Sequence, residues 1–595
     1  MPLKSGFIKV NAFKIRGRCL STHHVFNQGL PLINFNLYKS DPLLKSFTDH
    51  FADPLATQVL NNHGVKCGTD GLMHTARIAE KNKPELSQFD IYGRRVDVID
   101  YHDAYHELMS TGLEAGVSGY GYSSSTKGSH VTRAGLLYMQ NQMEPGHCCP
   151  LVMTTAAILP LKKYGYDDLV SKLSTFQYDH RNVPIDEKVA ITAGMSMTEK
   201  QGGSDVRANT TTAQPEDLNK KGNGNAYRLV GHKWFTSAPM CDIFLTLAHT
   251  DGHKTPSCFI VYRWIPNGGG RNTGFKVMRL KDKVGDRANA SSEVEYEGAF
   301  GTMLGEEGKG VKTIIDMVQS TRLDCILGSA GGCRRALQHV LMHATHRQSF
   351  GLPLVDHPLM KNVVADLCLE AEAQTLTALY FSAVFDAANH NYCLPTHAPG
   401  GYANKTSHEN DMMELFRIGV AVGKYWVTKR HPGFAYECME AFGGNGFVED
   451  FPMAMLFRQS PLNSIWEGSG NIIALDILRA KSSFSILLQD IKLACGMSSE
   501  FDSFVANMER SVLAFEGLSP VDAQRSARFL ADHLALALQG SIMLRYTDAR
   551  VRTLVSEILV YKSKLQLDPD ICLLVILFLD RLPLLSFLRA SVEIE

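Results

Sequence analysis

NTTTAQ (209–214), AYRLVG (226–231), DIFLTLAHT (242–250), SCFIVYRW (257–264), FKVMRL (275–280) and SSEVEYEGAF (291–300) are short runs rich in β-branched and aromatic residues, separated by the turn clusters GNGN (222–225) and PNGGG (266–270). Runs of this kind punctuated by Gly and Asn predict an antiparallel β-domain over about 191–305. The texture on either side is helical. From about 45 to 190, apolar residues recur at helical spacing, as in GLLYMQNQM (135–143) and Thr154 to Tyr164, with Gly and Pro at the breaks. Helical spacing returns at Gly308, continues through VKTIIDMVQSTRLDCILGSAGGCRRALQHVLMHATHRQ (311–348) to about Lys481, and is followed by a further helical segment. The expected fold class is α+β in the order helix, sheet, helix. Its parts are a basic N-terminal segment (1–40), a helical N-terminal domain (41–190), the β-domain (191–305), a C-terminal helical bundle (306–481) and a helical C-terminal extension (482–595).

A chain of 595 residues exceeds what one hydrophobic core organises, in keeping with several domains. Lys+Arg 60 against Asp+Glu 61 leave a formal charge of -1, so no whole-molecule field draws nucleic acid or an anionic membrane. The 13 cysteines stand singly except for Cys148 and Cys149, and no CxxC occurs. That argues against structural zinc and a disulfide framework, and fits a reducing compartment. Residues 1–40 lack Asp and Glu but carry Lys4, Lys9, Lys14, Arg16, Arg18 and Lys39, with Ser21 and Thr22 beyond RGRCL. This reads as a mitochondrial presequence, which would place the protein in the matrix; an ordinary basic tail on a cytoplasmic protein is the alternative. The longest apolar run, Ile571 to Leu579, is ended by Asp580 and Arg581 at about half the length of a bilayer span, so no transmembrane helix is expected.

No GxGxxG follows a strand, and GxxxxGK[ST], HExxH and GxSxG are absent, which removes support for a Rossmann fold, a P-loop NTPase, a zincin and an α/β-hydrolase. No metal site is expected. Four segments are dense in Gly, polar and aromatic residues: MSMTEKQGGSD (195–205), GHKWFTSA (231–238), EAFGGNGF (440–447) and SIWEGSGN (464–471). Thr198 with Gly202, Gly203 and Ser204 offers a hydroxyl and close backbone approach to a phosphate-bearing ligand, although such a stretch alone is more often a β-turn. Trp234 and Thr236 alternate on a strand with Phe235 on the opposite side, an aromatic face and hydroxyl suited to a flat ring, or simply to core packing. EAFGGNG also reads as a helix C-cap. Ser469 is placed to cap the helix carrying Ile472, Ile473, Leu475 and Ile477, with Glu467 where a helix dipole favours a carboxylate.

Together and in this order, the segments resemble the acyl-CoA dehydrogenase superfamily over roughly 120–482. MTEKQGGSD looks like the family's TEPxAGSD loop, KWFT like KxWIT, THRQSFG (345–351) like ERxxFG, FGGNG like FGGxG and WEGSGNI (466–472) like YEGTxxI. Trp466 stands where most members have Tyr. With MEPGHCCPLVMT (143–154) and a C-terminal extension, it points to the AidB-like branch.

The resemblance implies FAD held between the β-domain and the C-terminal bundle, a homotetramer, acyl-CoA as substrate and an electron-transfer flavoprotein as acceptor. Carried over residue by residue, Met197, Thr198, Gly203 and Ser204 line the flavin, and Trp234, Phe235 and Thr236 pack beside its ring. Arg347, Phe350, Glu440, Ala441, Phe442, Gly443 and Gly444 reach the FAD of a neighbouring subunit, and Ser469 and Asn471 touch FAD after the base. Ser204, Arg322 in STRLD, Trp466 and Gly468 lie on the substrate side. Glu467 is the implied base for the thioester α-proton, its basicity raised by burial against an acyl chain. The enolate oxygen would be held by the Glu467 N–H and a flavin ribityl hydroxyl, and hydride would leave the β-carbon for the flavin. Glu440 departs from the family's Gln beside the cofactor pyrophosphate. The chemistry reads as medium- to long-chain acyl-CoA dehydrogenation. Acyl-CoA sequestration with little turnover is the alternative, and DNA binding is disfavoured by 12 Lys and Arg against 14 Asp and Glu in 481–595.

Overall fold

The computed structural model describes residues 25–123, 126–390, 392, 394 and 409–547. Most of the presequence reading and the whole apolar run at 571–579 lie outside the described residues. The first domain opens with α1 (Pro42–Phe51), α2 (Ala56–Cys67) and α3 (Asp70–Lys81). Asp41 starts α1 by accepting the Leu44 N–H at 3.1 Å, and Pro42 follows at the first turn, where its missing N–H costs nothing.

A hairpin, β1 (Glu85–Phe89) with β2 (Arg95–Asp100), then interrupts a block that the periodicity reads as helical throughout. Its turn is made by Asp90, whose Oδ1 accepts the N–H groups of Tyr92 and Arg94, and by Gly93 at φ 80°. The helical series resumes with α4 (Asp103–Ala115), α5 (Tyr120–Ser123), α6 (Ser129–Gln140), α7 (Cys148–Lys163) and α8 (Asp167–Leu173).

The β-domain contains β3 (Ala193–Ser196), β4 (Thr212–Pro215), β5 (Ala226–Ser237), β6 (Ile243–Ala248), β7 (Ser257–Tyr262), the short pair β8 (Trp264–Ile265) and β9 (Gly270–Arg271), β10 (Phe275–Leu280) and β11 (Ser291–Leu304). Its main sheet runs β3-β6-β7-β11-β5-β4, with β10 on β11. The expected antiparallel pattern is corrected at one edge. β3 pairs parallel with β6, from Ala193↔Ile243 to Ser196↔Thr246, because the intervening chain crosses the sheet as β4 and β5 before returning. β6 and β7 are buried at every position. Ile243, Leu245 and Leu247 meet Ile158 and Leu161 of α7, while Phe244 and Ala248 face Phe259 and Phe275, so both pleat faces are covered.

The second helical part consists of α9 (Gly310–His346), a small hairpin β12 (Gln348–Ser349) and β13 (Leu352–Pro353), α10 (Pro358–His390), α11 (Glu409–Ala441), α12 (Pro452–Gln459) and α13 (Gly470–Arg479). The extension continues through α14 (Phe484–Ile491), α15 (Ser499–Glu516), α16 (Pro520–Arg525) and α17 (Ala527–Tyr546). It packs into the bundle: Leu530, Leu534, Leu538 and Ile542 share one core with Leu376, Leu379 and Ile418. A buried pair, Arg545 Nη2 to Asp490 at 3.2 Å, ties α17 to α14, and Tyr380 of α10 bonds the same carboxylate. Among the described residues no helix is long and apolar enough to cross a membrane.

Candidate active site

Glu467 occupies the loop leading into α13, in the left-handed region at φ 56°, and is followed by Gly468 at φ 98°. For a residue with a side chain that conformation costs roughly 1–2 kcal/mol and persists only where surroundings over-determine it. Gly468 has no alternative, since a Cβ there would come within 2.9 Å of Ile473 Cδ1.

Two cations hold the loop from behind. Lys424 of α11 donates to the carbonyls of Trp466 at 2.9 Å and Gly468 at 2.7 Å. Arg322 of α9 donates through Nε to the carbonyl of Glu467 at 3.1 Å and through Nη2 to Asp476 at 2.7 Å. Three successive carbonyls are thereby satisfied by side chains from two different helices. The Glu467 side chain is half-buried and senses Cys149 of α7 together with Thr321 and Cys325 of α9. Burial pushes its carboxyl above the usual carboxylate range, and the Thr321 hydroxyl and the Lys424 and Arg322 charges oppose the rise without cancelling it. Beside it Trp466 is fixed by an indole bond to Asn463 Oδ1 at 2.8 Å.

Arg322, expected on the substrate side, is buried and has donors committed to the loop and to Asp476, which makes it part of the support behind Glu467. Ser469 stands at the N-cap of α13, but its hydroxyl makes no capping bond. Asn471 is exposed and accepts from Arg528 of α17 at 2.7 Å.

In the β-domain, residues 199–202 form a turn closed by the Gly202 N–H donating to the Glu199 carbonyl at 2.9 Å. Met197 and Thr198 are half-buried, and Gly203 and Ser204 are exposed. Gly203 passes so close over Thr198 that a Cβ would sit 2.2 Å from its hydroxyl. On β5 the expected alternation fails. The register to β11 shifts between the Thr236 and Lys233 pairings, and this irregularity re-aims the strand: Lys233 and Thr236 are enclosed, Trp234 is half-buried and Phe235 is 49% exposed. Thr236 faces inward and bonds Ser196, so it supports the strand and does not present its hydroxyl to a ligand. Lys281 Nζ lies 3.2 Å from the centre of the Trp234 ring, a cation–π contact.

The remaining predicted residues gather where α9 and α11 end. Phe442 stacks on His343 with ring centres 4.3 Å apart. α11 stops at Ala441, and Gly443 at φ 59° takes the left-handed position expected of a helix end. Gly443 and Gly444 present bare backbone to open space, and Glu440 is exposed. Arg347 donates to the Asn27 carbonyl at 2.8 Å, and Phe350, at φ 49° on the tip of the β12–β13 hairpin, is 98% exposed. Arg347 follows Arg322 by 25 residues along and just past α9, ~37 Å at the helical rise, so this cluster and Glu467 occupy separate regions of the chain.

Two residues escaped the sequence reading. Lys424 is a lone cation in the apolar run IGVAVGKYWV (418–427), a signal that a buried helix face carries a charge with a partner. Glu199 lies inside MSMTEKQGGSD (195–205), where nothing local distinguishes it from a surface carboxylate. It is enclosed and bonded to Lys233 Nζ at 2.9 Å.

The chain matches three families in succession: "Adaptive response protein AidB N-terminal domain" over 27–180, "Acyl-CoA dehydrogenase, middle domain" over 194–299 and "Acyl-CoA dehydrogenase, C-terminal domain" over 308–481. It is 35% identical over 536 residues to "Putative acyl-CoA dehydrogenase AidB" of Escherichia coli (strain K12), covering 88% of this chain and 92% of that protein. "Acyl-CoA dehydrogenase family member 11" of Caenorhabditis elegans is 29% identical over 491 residues, 80% of this chain and 74% of that one. The crystal structure of C. elegans ACDH-11 in complex with C11-CoA shares the fold at a TM-score of 0.78 and 24% identity, over 92% of this chain and 93% of that chain.

Proposed function

Because the chain belongs to the acyl-CoA dehydrogenase family, in its AidB-like branch, we propose that it is a FAD-dependent dehydrogenase of medium- to long-chain acyl-CoA with Glu467 as the base. The observation that carries this reading is a carboxyl whose surroundings raise its proton affinity, on a loop that two buried cations fix from behind. A thioester α-proton is a weak acid, and a base is most effective when its pKa is lifted toward the working pH and its position is fixed. Glu467 takes that proton at its carboxylate. Trp466, pinned by Asn463, forms the neighbouring wall. The acyl-chain range draws on the C. elegans neighbour, whose complex contains C11-CoA.

The residues fit FAD. Gly443 and Gly444 offer bare backbone with space for a phosphate to approach, as does Gly202 at φ 131°. Phe235 beside the half-buried Trp234, and Phe350 at the far cluster, present aromatic faces to solvent. Ser204 and Met197 would lie along the ring system, with Ser469 and Asn471 at its other end. When bound, FAD supplies the acceptor for hydride from the β-carbon. Glu440 is exposed, so its carboxylate is free to turn from a pyrophosphate.

The separation of the Arg347 cluster from Glu467, with Phe350 and Phe447 at 98% and 81% exposure, supports a homotetramer in which that cluster serves a neighbour's FAD. An electron-transfer flavoprotein would then take the electrons, and a matrix location follows from the presequence reading.

The test is anaerobic mixing of the yellow, FAD-loaded protein with undecanoyl-CoA while flavin absorbance is followed. Bleaching is the expected result. Binding without bleaching puts acyl-CoA sequestration in the lead, and a folded, colourless preparation that takes up no FAD sinks the assignment.

A further inference from the structure

The bonds behind the Glu467 loop show a division of labour that the reading of Glu467 as base leaves unassigned. Lys424 lies on α11, is 1% exposed, and reaches the carbonyls immediately before and after Glu467 with one ammonium. Those two carbonyls converge on a single Nζ, and the residue between them, Glu467, stands in the costly left-handed conformation. Arg322 secures the intervening carbonyl from the α9 side. We propose that Lys424 is the positioning residue of the Glu467 base, clamping the loop so that the carboxylate is presented at a fixed place for the substrate α-proton.

The proposal rests on Glu467 being the base. Both Lys424 ammonium bonds go to main-chain oxygens rather than to the carboxylate, so it acts on Glu467 through the loop and through space. Its charge has a second effect whose sign is fixed. A cation beside a carboxylate favours the ionised form, so removing it must move the onset of base function to higher pH. The other charged or titratable groups facing Glu467 are Arg322 and Cys325 from α9 and Cys149 from α7, with Thr321 as a neutral hydrogen-bond partner. Burial keeps both thiols protonated far above neutrality, leaving Arg322 as the cation that remains when Lys424 is replaced.

A structural lysine and a positioning lysine make different forecasts. If Lys424 only satisfies carbonyls, its loss lowers the amount of folded protein and scales every activity alike. If it positions the base, α-proton abstraction falls while acyl-CoA binding holds, and the pH dependence shifts.

The experiment is exchange of the α-hydrogens of undecanoyl-CoA into D2O on the FAD-loaded protein, followed by mass spectrometry across pH, with acyl-CoA affinity measured calorimetrically on the same samples. Parent, K424Q and K424R are compared. Gln keeps a donor for the carbonyls without charge, and Arg keeps the charge on a different fork. The expected result is exchange in K424Q lower by ~10²-fold, the order that a slight misplacement of a catalytic group costs, with affinity within about threefold and the acid limb displaced to higher pH. K424R should bring the acid limb back toward the parent position. Parent-like exchange and acid limb in K424Q overturn the proposal. So does a loss that merely tracks folded protein with the acid limb unmoved, and K424R then serves if K424Q folds poorly. A parent protein that binds undecanoyl-CoA yet exchanges nothing at any pH instead removes the reading of Glu467 as base, which separates the two failures.

Discussion

Glu199 in the β-domain and Glu467 before α13 are both carboxylates facing a buried lysine, yet the fold drives their protons in opposite directions. At Glu199, burial alone would raise the proton affinity. It is outweighed because Lys233 Nζ, the N–H and hydroxyl of Thr210, those of Thr211 and the Gln201 amide all donate directly to its oxygens, and the pKa falls well below the usual range. At Glu467 the nearby cations spend donors on main-chain carbonyls, burial prevails and the pKa rises. What separates a locked carboxylate from one able to accept a proton is therefore how many donors, the lysine's among them, reach its oxygens directly. The mere presence of a lysine does not decide it.

The largest expected effect comes from replacing each carboxylate with its amide. Glu467→Gln should retain acyl-CoA binding and lose about 10²–10⁴-fold in the rate of flavin bleaching, the range credited to general base catalysis. Glu199→Gln should leave the bleaching rate per folded molecule within a few-fold. Rapid mixing under anaerobic conditions measures both, and equal losses in the two variants would erase the distinction.

Stability should show the reverse order. Glu199→Ala leaves Lys233 enclosed without its partner, a change that typically costs about 3–5 kcal/mol, and replacing both members by Met should recover only part of it, because the Thr210 and Thr211 donors still lose their acceptor. Urea unfolding of the FAD-free proteins reads this directly. A Glu199→Ala protein as stable as its parent would mean that Lys233 finds another acceptor beyond the Leu247 carbonyl it already uses at 2.8 Å.

Their pH signatures should also oppose. The folded pKa of Glu199 is depressed, so its stabilisation is present above the unfolded value of ~4.3 and disappears as pH falls through the folded value. The folded pKa of Glu467 is raised, so whatever stability it contributes is present below ~4.3 and disappears as pH rises through the folded value. With each Gln variant as the uncharged reference, the parent-minus-variant difference should grow with pH for Glu199 and shrink with pH for Glu467. Differences of the same sign would contradict the assignment of one of the two sites.

The same contrast marks how far sequence reading reaches. The helix–sheet–helix order is carried by local periodicity, and Glu467 by a segment only a few residues long. Non-local choices left little trace. The parallel β3–β6 pairing joins Ala193 to Ile243, and no local pattern distinguishes it from an antiparallel neighbour. The β1–β2 hairpin hides its turn signal, Asp90 and Gly93, inside a mostly helical block. The irregularity on β5 turns Phe235 outward and Thr236 inward through its register to β11, which the β5 sequence alone does not contain. Lys424 and Arg322 lie 42 and 145 residues from the atoms they bind at Trp466 and Glu467, so only the assembled bundle reveals that they form one clamp.

The smallest expected effect probes that dependence on remote segments. Glu199 is secured by donors within its own turn and sheet, whereas the Glu467 loop runs into α13, whose second residue, Asn471, is held by Arg528 of the extension. The Arg528 Nε bond to Asn471 Oδ1 at 2.7 Å lies at the surface, with both residues exposed. An exposed contact of a charged side chain contributes little to stability, on the order of 0.2–1 kcal/mol, since solvent competes and the long side chain loses freedom. Arg528→Ala should therefore lower the urea midpoint only slightly. If the extension helps to set the start of α13, the small loss should be accompanied by weaker FAD retention, because Asn471 is one of the two residues proposed to touch the cofactor after the base. Asn471→Ala should then weaken retention by a similar factor, and the double variant should lose no more than either single one, as expected when two residues act through one contact. Additive losses in fluorescence-monitored FAD release would show that Arg528 and Asn471 act independently and that the extension is only packed against the bundle.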